Sequence, residues 1–193
     1  MSGDTDLLSG SQREAVVRWK LGHQVFHLML ATMNTRLAET AQALLAGEWT
    51  TTRSGLVDLA RLYDAATSAM RYAADFPRRE YEALVRPSMM PPFASAGFSG
   101  VNNTEHARML AALRRLRVLY QERQAAAPDP VRVAWRRLLD AQRRNRRNHM
   151  LVCRQFVDDG TSLLQEYYAA QARPGRRGTT DRRPAAGRES GSP

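Results

Sequence analysis

The strongest constraint on this chain is a helical periodicity that runs unbroken through residues 11–46. Val16, Trp19, His23, Phe26, His27, Leu30, Met33 and Leu37 recur there at the spacing that lines one face of a helix. Gly47 offers a stop. A helix this long must bury its apolar stripe against partners, and the rest of the chain supplies them. A second helix is predicted from about Thr52 to Ala74, with Leu56, Leu59, Leu62, Tyr63 and Met70 inward. Pro77 favours the start of a short helix over 77–86, and Pro87 is expected to end it. Asn103 or Thr104 caps a helix running to about Gln124, and 125–129 reads as a turn. Pro130 opens a basic helix to roughly Val157, whose stripe is Val131, Trp135, Leu138, Gln142, Asn145, His149, Val152 and Phe156. Asp158-Asp159-Gly160 ends it, and Thr161–Gln171 forms a last helix. There is no strand alternation and no internal repeat. The pattern predicts an all-α, antiparallel helical bundle.

One segment breaks the pattern. Residues 87–103 hold three prolines and two glycines, which forbid regular structure, yet carry Met89, Met90, Phe93 and Phe98. An ordered Pro/Gly-rich loop packed over a site is expected there. At the other extreme, residues 173–193 carry six arginines against Asp181 and Glu189 among Pro and Gly. That Arg-rich C-terminal tail cannot bury a core and is expected to be disordered. The expected organisation is a flexible N-terminus over 1–10, a helical domain over 11–172 and the basic tail over 173–193.

Composition excludes several classes. Apolar residues make up 43% of the 193, enough for a core. No apolar run approaches the ~20 residues that span a bilayer, so no membrane association is expected. The first residues lack a basic stretch followed by an apolar one, so a cytoplasmic protein without a secretory signal is expected. A single cysteine, Cys153, rules out an internal disulfide and a CxxC zinc site. The net charge of +10 invites a nucleic-acid reading. That reading weakens because 28 of the 29 basic residues are Arg, with Lys20 the exception, and because part of the charge lies in the tail, without which the net charge falls from +10 to +6.

The chemistry-bearing residues are few. Of the four histidines, His23 and His149 each interrupt the apolar stripe of a long helix. A histidine on an apolar face is often a satisfied core residue, but bundles also build cofactor sites from facing helices. Cys153 follows His149 by four residues, so the two share a helix face. There is no HExxH, no Walker loop and no dinucleotide fingerprint.

Trp19-Lys-Leu-Gly-His23-Gln24-Val-Phe26-His-Leu-Met-Leu30 resembles the His-Gln-x-Tyr/Phe-x-Leu helix of tryptophan 2,3-dioxygenases. Arg86 followed by Ala96-Gly97-Phe98-Ser99 resembles that family's Arg and Ser-Gly-Phe-Gln-Ser. Arg147-Asn148-His149 resembles its proximal helix, and Gly160-Thr161-Ser162 a shortened form of its glycine-rich loop. His27 stands where the dioxygenases have Glu. A branch of that superfamily, the haem-dependent aromatic oxygenases of natural-product pathways, is similar over more of the chain. Arg86-Pro-Ser-Met-Met-Pro-Pro resembles their proline-rich segment, and His149-x-x-x-Cys153 the motif holding haem covalently in 3-methyltyrosine hydroxylases.

The resemblance implies a b-type haem with His149 as the iron ligand and Cys153 as a covalent tether. It implies His23 as the catalytic residue on the opposite face. Trp19, Phe26, Arg86, Phe98, Ser99 and Thr161 would then bind substrate, with Arg86 on a carboxylate. The implied substrate is a tyrosine- or tryptophan-type amino acid or derivative, oxidised with dioxygen or hydrogen peroxide in a specialised-metabolite pathway. The related enzymes assemble as homodimers or homotetramers. Two other readings stay open on the residues: a non-catalytic haem-binding or sensing protein, and an Arg-rich helical interaction module.

Overall fold

A computed structural model describes residues 8–89 and 103–156. All regular structure among them is helical, with no strand. The elements are α1 (Gly10–Ala46), α2 (Trp49–Ala73), α3 (Arg78–Glu80), a π-helical turn (Tyr81–Val85), α4 (Arg86–Ser88), α5 (Thr104–Arg123) and α6 (Asp129–Phe156). The loop residues 90–102, the helix expected over 161–171 and the Arg-rich tail lie outside the described residues.

Local chemistry sets the helix ends. Ser9 caps α1 in a reciprocal box: its Oγ accepts from Gln12 N–H, and Gln12 Oε1 accepts from Ser9 N–H. Ser9 thus belongs to the helix start rather than to a flexible N-terminus. Gly47, at φ 75°, ends α1 with its N–H on Leu44 O and the next N–H on Ala43 O. So tight a turn leaves no linker, and α2 starts at Trp49 rather than near Thr52. Asn103 Oδ1 accepts from His106 N–H and caps α5.

Pro87 does not end its helix, contrary to the sequence expectation. The preceding turn widens, and Arg86 N–H reaches back five residues to Tyr81 O. Pro87 then sits in the first turn of α4, where a missing N–H costs nothing.

The four long helices run up-down-up-down. α1 packs on α2, α2 on α6, and α1 on α5. Sequence neighbours are antiparallel, as predicted, while α2 and α6 run parallel. The ladder Arg144–Asp64, Asn145–Thr67 and Gln155–Ala74 fixes that direction. The main core joins all four helices through Leu30, Leu37, Leu59, Leu116 and Leu138. A second apolar cluster closes the lower end, where Tyr81 and Phe156 stack at 4.5 Å beside Phe76 and Trp19. Buried Glu80 ties the short helical segment to α1 and is held by Ser11 and Arg79. No described helix is long and apolar enough to cross a membrane.

Candidate functional site

α5 and α6 meet at their connecting turn and then part. Next to the turn, Tyr120 and Trp135 stack at 4.2 Å with only 13° between planes. Farther along, Arg117 Nη2 donates to Gln142 Oε1 at 2.6 Å. The wedge between the two helices is a cavity of about 1070 Å³ that runs from Gln124 and Trp135 near the turn to His106 and His149. That is the upper end of the roughly 300–1,000 Å³ usual for cofactor and ligand pockets. Its floor is the inner face of α1 (His23, Phe26, His27) and of α2 (Tyr63, Met70, Ala73). Its lining carries four arginines, Arg114, Arg117, Arg143 and Arg146, and no carboxylate among the described residues.

All four histidines of the chain line this cavity. His23 Nδ1 lies 2.8 Å from Trp19 O. A carbonyl only accepts, so Nδ1 carries the proton and Nε2 is the acceptor nitrogen of the neutral ring. The Trp19 indole packs against the same ring, centroid to centroid 4.0 Å and tilted by 43°. Burial pushes the His23 pKa below its ordinary value; the Trp19 carbonyl opposes that, and nearby His27 adds to it. His27 has the opposite tautomer, since Asn103 Nδ2 donates to its Nδ1 at 3.2 Å. His149, on α6, also has a lowered pKa, from burial and from the nearness of His106 on α5. These two imidazoles therefore sense each other across the wedge. Cys153 Sγ is 3.7 Å from His149 Nδ1, and burial keeps it a protonated thiol. Deeper, burial pushes Tyr63 up to about 12, against the pull of Arg117, and its hydroxyl donates to Met109 Sδ.

Of the residues singled out from sequence, His23, Phe26 and His149 come together on the cavity wall. Cys153 stands one turn behind His149. Trp19 is not in the lining; it backs His23 and packs edge-on against Phe76 and Tyr81. Arg86 is also outside the lining, in α4, where its charge acts on Tyr81. Phe98, Ser99 and Thr161 lie outside the described residues. The sequence reading gives no role to His106, Arg114 or Arg117, and takes the run 143–147, which holds Arg143 and Arg146, as a solvated face of which haem propionates could use one or two arginines. A signal for the cavity arginines existed: Gln142 and Asn145 interrupt the apolar stripe of α6.

A family model described as SfmD 3-methyl-L-tyrosine peroxygenase matches residues 4–132. The chain belongs to this family. The matched span contains His23, His27 and His106, while His149 and Cys153 lie beyond it. A 3-methyl-L-tyrosine peroxygenase from Streptomyces lavendulae is 25% identical over 155 residues, covering 79% of this chain and 40% of that protein. The chain thus spans about two fifths of the length of this curated relative. No solved structure matches.

The described residues form no cluster of three or more His, Cys, Asp or Glu able to hold a bare metal ion. One or two imidazoles facing a large, mostly apolar cavity, with arginines and, among the described residues, no carboxylate on its walls, instead suit a flat, anionic, metal-bearing macrocycle. The residues present fit haem.

Proposed function

We propose that this chain is the haem-binding core of a peroxygenase that oxidises the ring of a tyrosine-type amino acid in a specialised-metabolite pathway. The observation that carries the reading is the convergence of all four histidines on one arginine-walled cavity that has no carboxylate among the described residues. Membership in the peroxygenase family supplies the reaction class. The unrelated helical interaction module has no need of such a cavity.

His149 is the residue that would hold the iron; the His106 imidazole lines the same cavity from α5. Cys153, one turn away, would tether the macrocycle through a thioether. Bound haem would supply the redox chemistry that transfers an oxygen atom from peroxide to the aromatic ring. The chain's own residues do the rest. His23 stays neutral near pH 7 because burial lowers its pKa, so Nε2 can accept a proton from the phenol or the peroxide. Trp19 O fixes the His23 tautomer through Nδ1, and the Trp19 indole fixes the ring plane. Phe26 and Met109 provide apolar walls that exclude water.

The test is reconstitution of the full chain with ferric haem. A Soret band is expected, together with peroxide-dependent addition of one oxygen to tyrosine or 3-methyltyrosine, read by mass. The His149→Ala variant should lose the coordinated-haem spectrum, and an unchanged spectrum would sink the axial assignment. Haem should resist acid–acetone extraction in the wild type and be extracted from Cys153→Ala. A chain that takes up no haem overturns the reading.

A further inference from the structure

Two histidines four residues apart on α1, His23 and His27, line the floor of the cavity with opposite hydrogen-bond polarity. The polarity of His27 is set from α5. Asn103 caps that helix, and a backbone N–H only donates, so the side-chain atom 3.1 Å from His106 N is the Asn103 oxygen. The Asn103 amide nitrogen is then the atom that meets His27 Nδ1 at 3.2 Å. An amide nitrogen only donates, so His27 Nδ1 accepts and the His27 proton sits on Nε2. His23 is the reverse: its Nδ1 donates to Trp19 O, 2.8 Å away, and its Nε2 accepts. Residues four apart on a helix stand side by side, with Cβ atoms about 5–6 Å apart. Two hydrogen bonds of about 2.8 Å each, meeting at one oxygen, bridge a gap of that size. Phe26 lies on the same wall, edge-on to the His27 ring at 6.5 Å.

We infer that His23 and His27 together recognise the hydroxyl of a phenol. The hydroxyl donates its proton to His23 Nε2, and its oxygen accepts from His27 Nε2–H. A hydroxyl is both donor and acceptor through one atom, whereas a carboxylate or ether oxygen only accepts and an ammonium only donates. Phe26 favours an aromatic carrier of that hydroxyl over a small peroxide, because an aryl ring packs against it. His27 thus holds the phenol with its proton aimed at the base. Asn103 is a positioning residue that acts through His27, and one side chain both caps α5 and fixes a tautomer on α1. The inference rests on the proposed function only for the choice of tyrosine as the probe.

The full chain with added ferric haem is titrated by calorimetry with L-tyrosine and L-phenylalanine, which differ only in the hydroxyl. At about pH 8.5 an imidazole is neutral and the phenol still holds its proton. The Soret band records haem uptake separately. The wild type should prefer tyrosine roughly tenfold. His27→Leu should lower that preference roughly threefold or more. Asn103→Asp is the sharper variant. Aspartate caps a helix as well as asparagine does, so α5 is kept, and thermal melts check that it is. A carboxylate only accepts, so His27 Nδ1 should now donate and Nε2 lose its proton, which nitrogen NMR of the imidazoles reads directly. The tyrosine preference should then fall as it does in His27→Leu. Asn103→Ser, which caps without imposing a tautomer, should lose less. A preference that survives His27→Leu, or survives an inverted tautomer in Asn103→Asp, overturns the inference. So does a wild type without preference, including one that binds neither amino acid. A His27 proton that stays on Nε2 in Asn103→Asp overturns the role of Asn103. Tyrosine preference without a Soret band supports the histidine pair and refutes the haem reading; a Soret band without preference does the opposite.

Discussion

The α1–α2 seam and the α5–α6 seam are built from helices of similar kind and behave in opposite ways. The first is zipped shut by small residues. A Cβ on Gly22 would overlap the Cβ of Ala73 and lie 2.9 Å from its Cα. One on Gly55 would overlap the Thr40 hydroxyl. Helix separation follows the side chains at the crossing, so these glycines bring the backbones together and leave no room for a ligand. The second seam is propped open. Tyr120 and Trp135 stack between the helices near the turn, and Arg117 bonds Gln142 across the seam. Small residues at a crossing make a core, and bulky polar ones hold a cavity open.

The largest test of that contrast truncates a leucine in each seam. Leu59 is wholly buried, so Leu59→Ala should cost about 2–5 kcal/mol in urea unfolding. Leu110 lines the cavity and is 38% exposed, so Leu110→Ala should cost no more than about 0.5 kcal/mol. Equal losses would erase the distinction. A smaller effect is expected for Gly22→Ala. Helix propensity favours alanine by about 1 kcal/mol, but forcing a methyl into a filled space costs about 1–3 kcal/mol. A net loss on the order of 1 kcal/mol is expected, and a gain would show that the α1–α2 seam has slack.

The smallest effect is pH-dependent and belongs to the open seam. His23 and His149 have lowered pKa values when folded, so near pH 6 the unfolded chain binds more protons. Their contribution is full above the unfolded value of about 6.5 and is lost as pH falls through it toward the folded values. Melting temperature should therefore drop between about pH 8 and about pH 5.5, and drop less in His23→Gln. His149 is more exposed than His23, so its share is screened. A melting temperature that rises on acidification would mean that the imidazoles gain a carboxylate partner on folding.

Much of the fold was legible because it is local. The Gly47 stop and the Asn103 cap each depend on a few neighbouring residues. Pro87 reads from sequence as a stop because the widened turn before it has no signature of its own. The site was half legible. His23 and His149 stood out as polar breaks in apolar stripes. His106 did not, because it sits in the first turn of α5 and interrupts no stripe. Arg143 and Arg146 looked like a solvated face; they face the cavity only because α5 stands away from that side of α6. Trp19 is placed by the lower apolar cluster, which is assembled from four separate parts of the chain, and Arg86 lies near the Tyr81 of that cluster.

The sequence by itself determined where the helices lie, which stripes are apolar and that His149 and Cys153 share a face. These follow from hydrogen bonds and periodicity within a few residues. Only the tertiary structure decided that α5 and α6 splay while α1 and α2 close, and that four histidines from three helices share one cavity. Those outcomes depend on side-chain volumes meeting at crossings far apart in the chain, and no local pattern encodes which faces will meet.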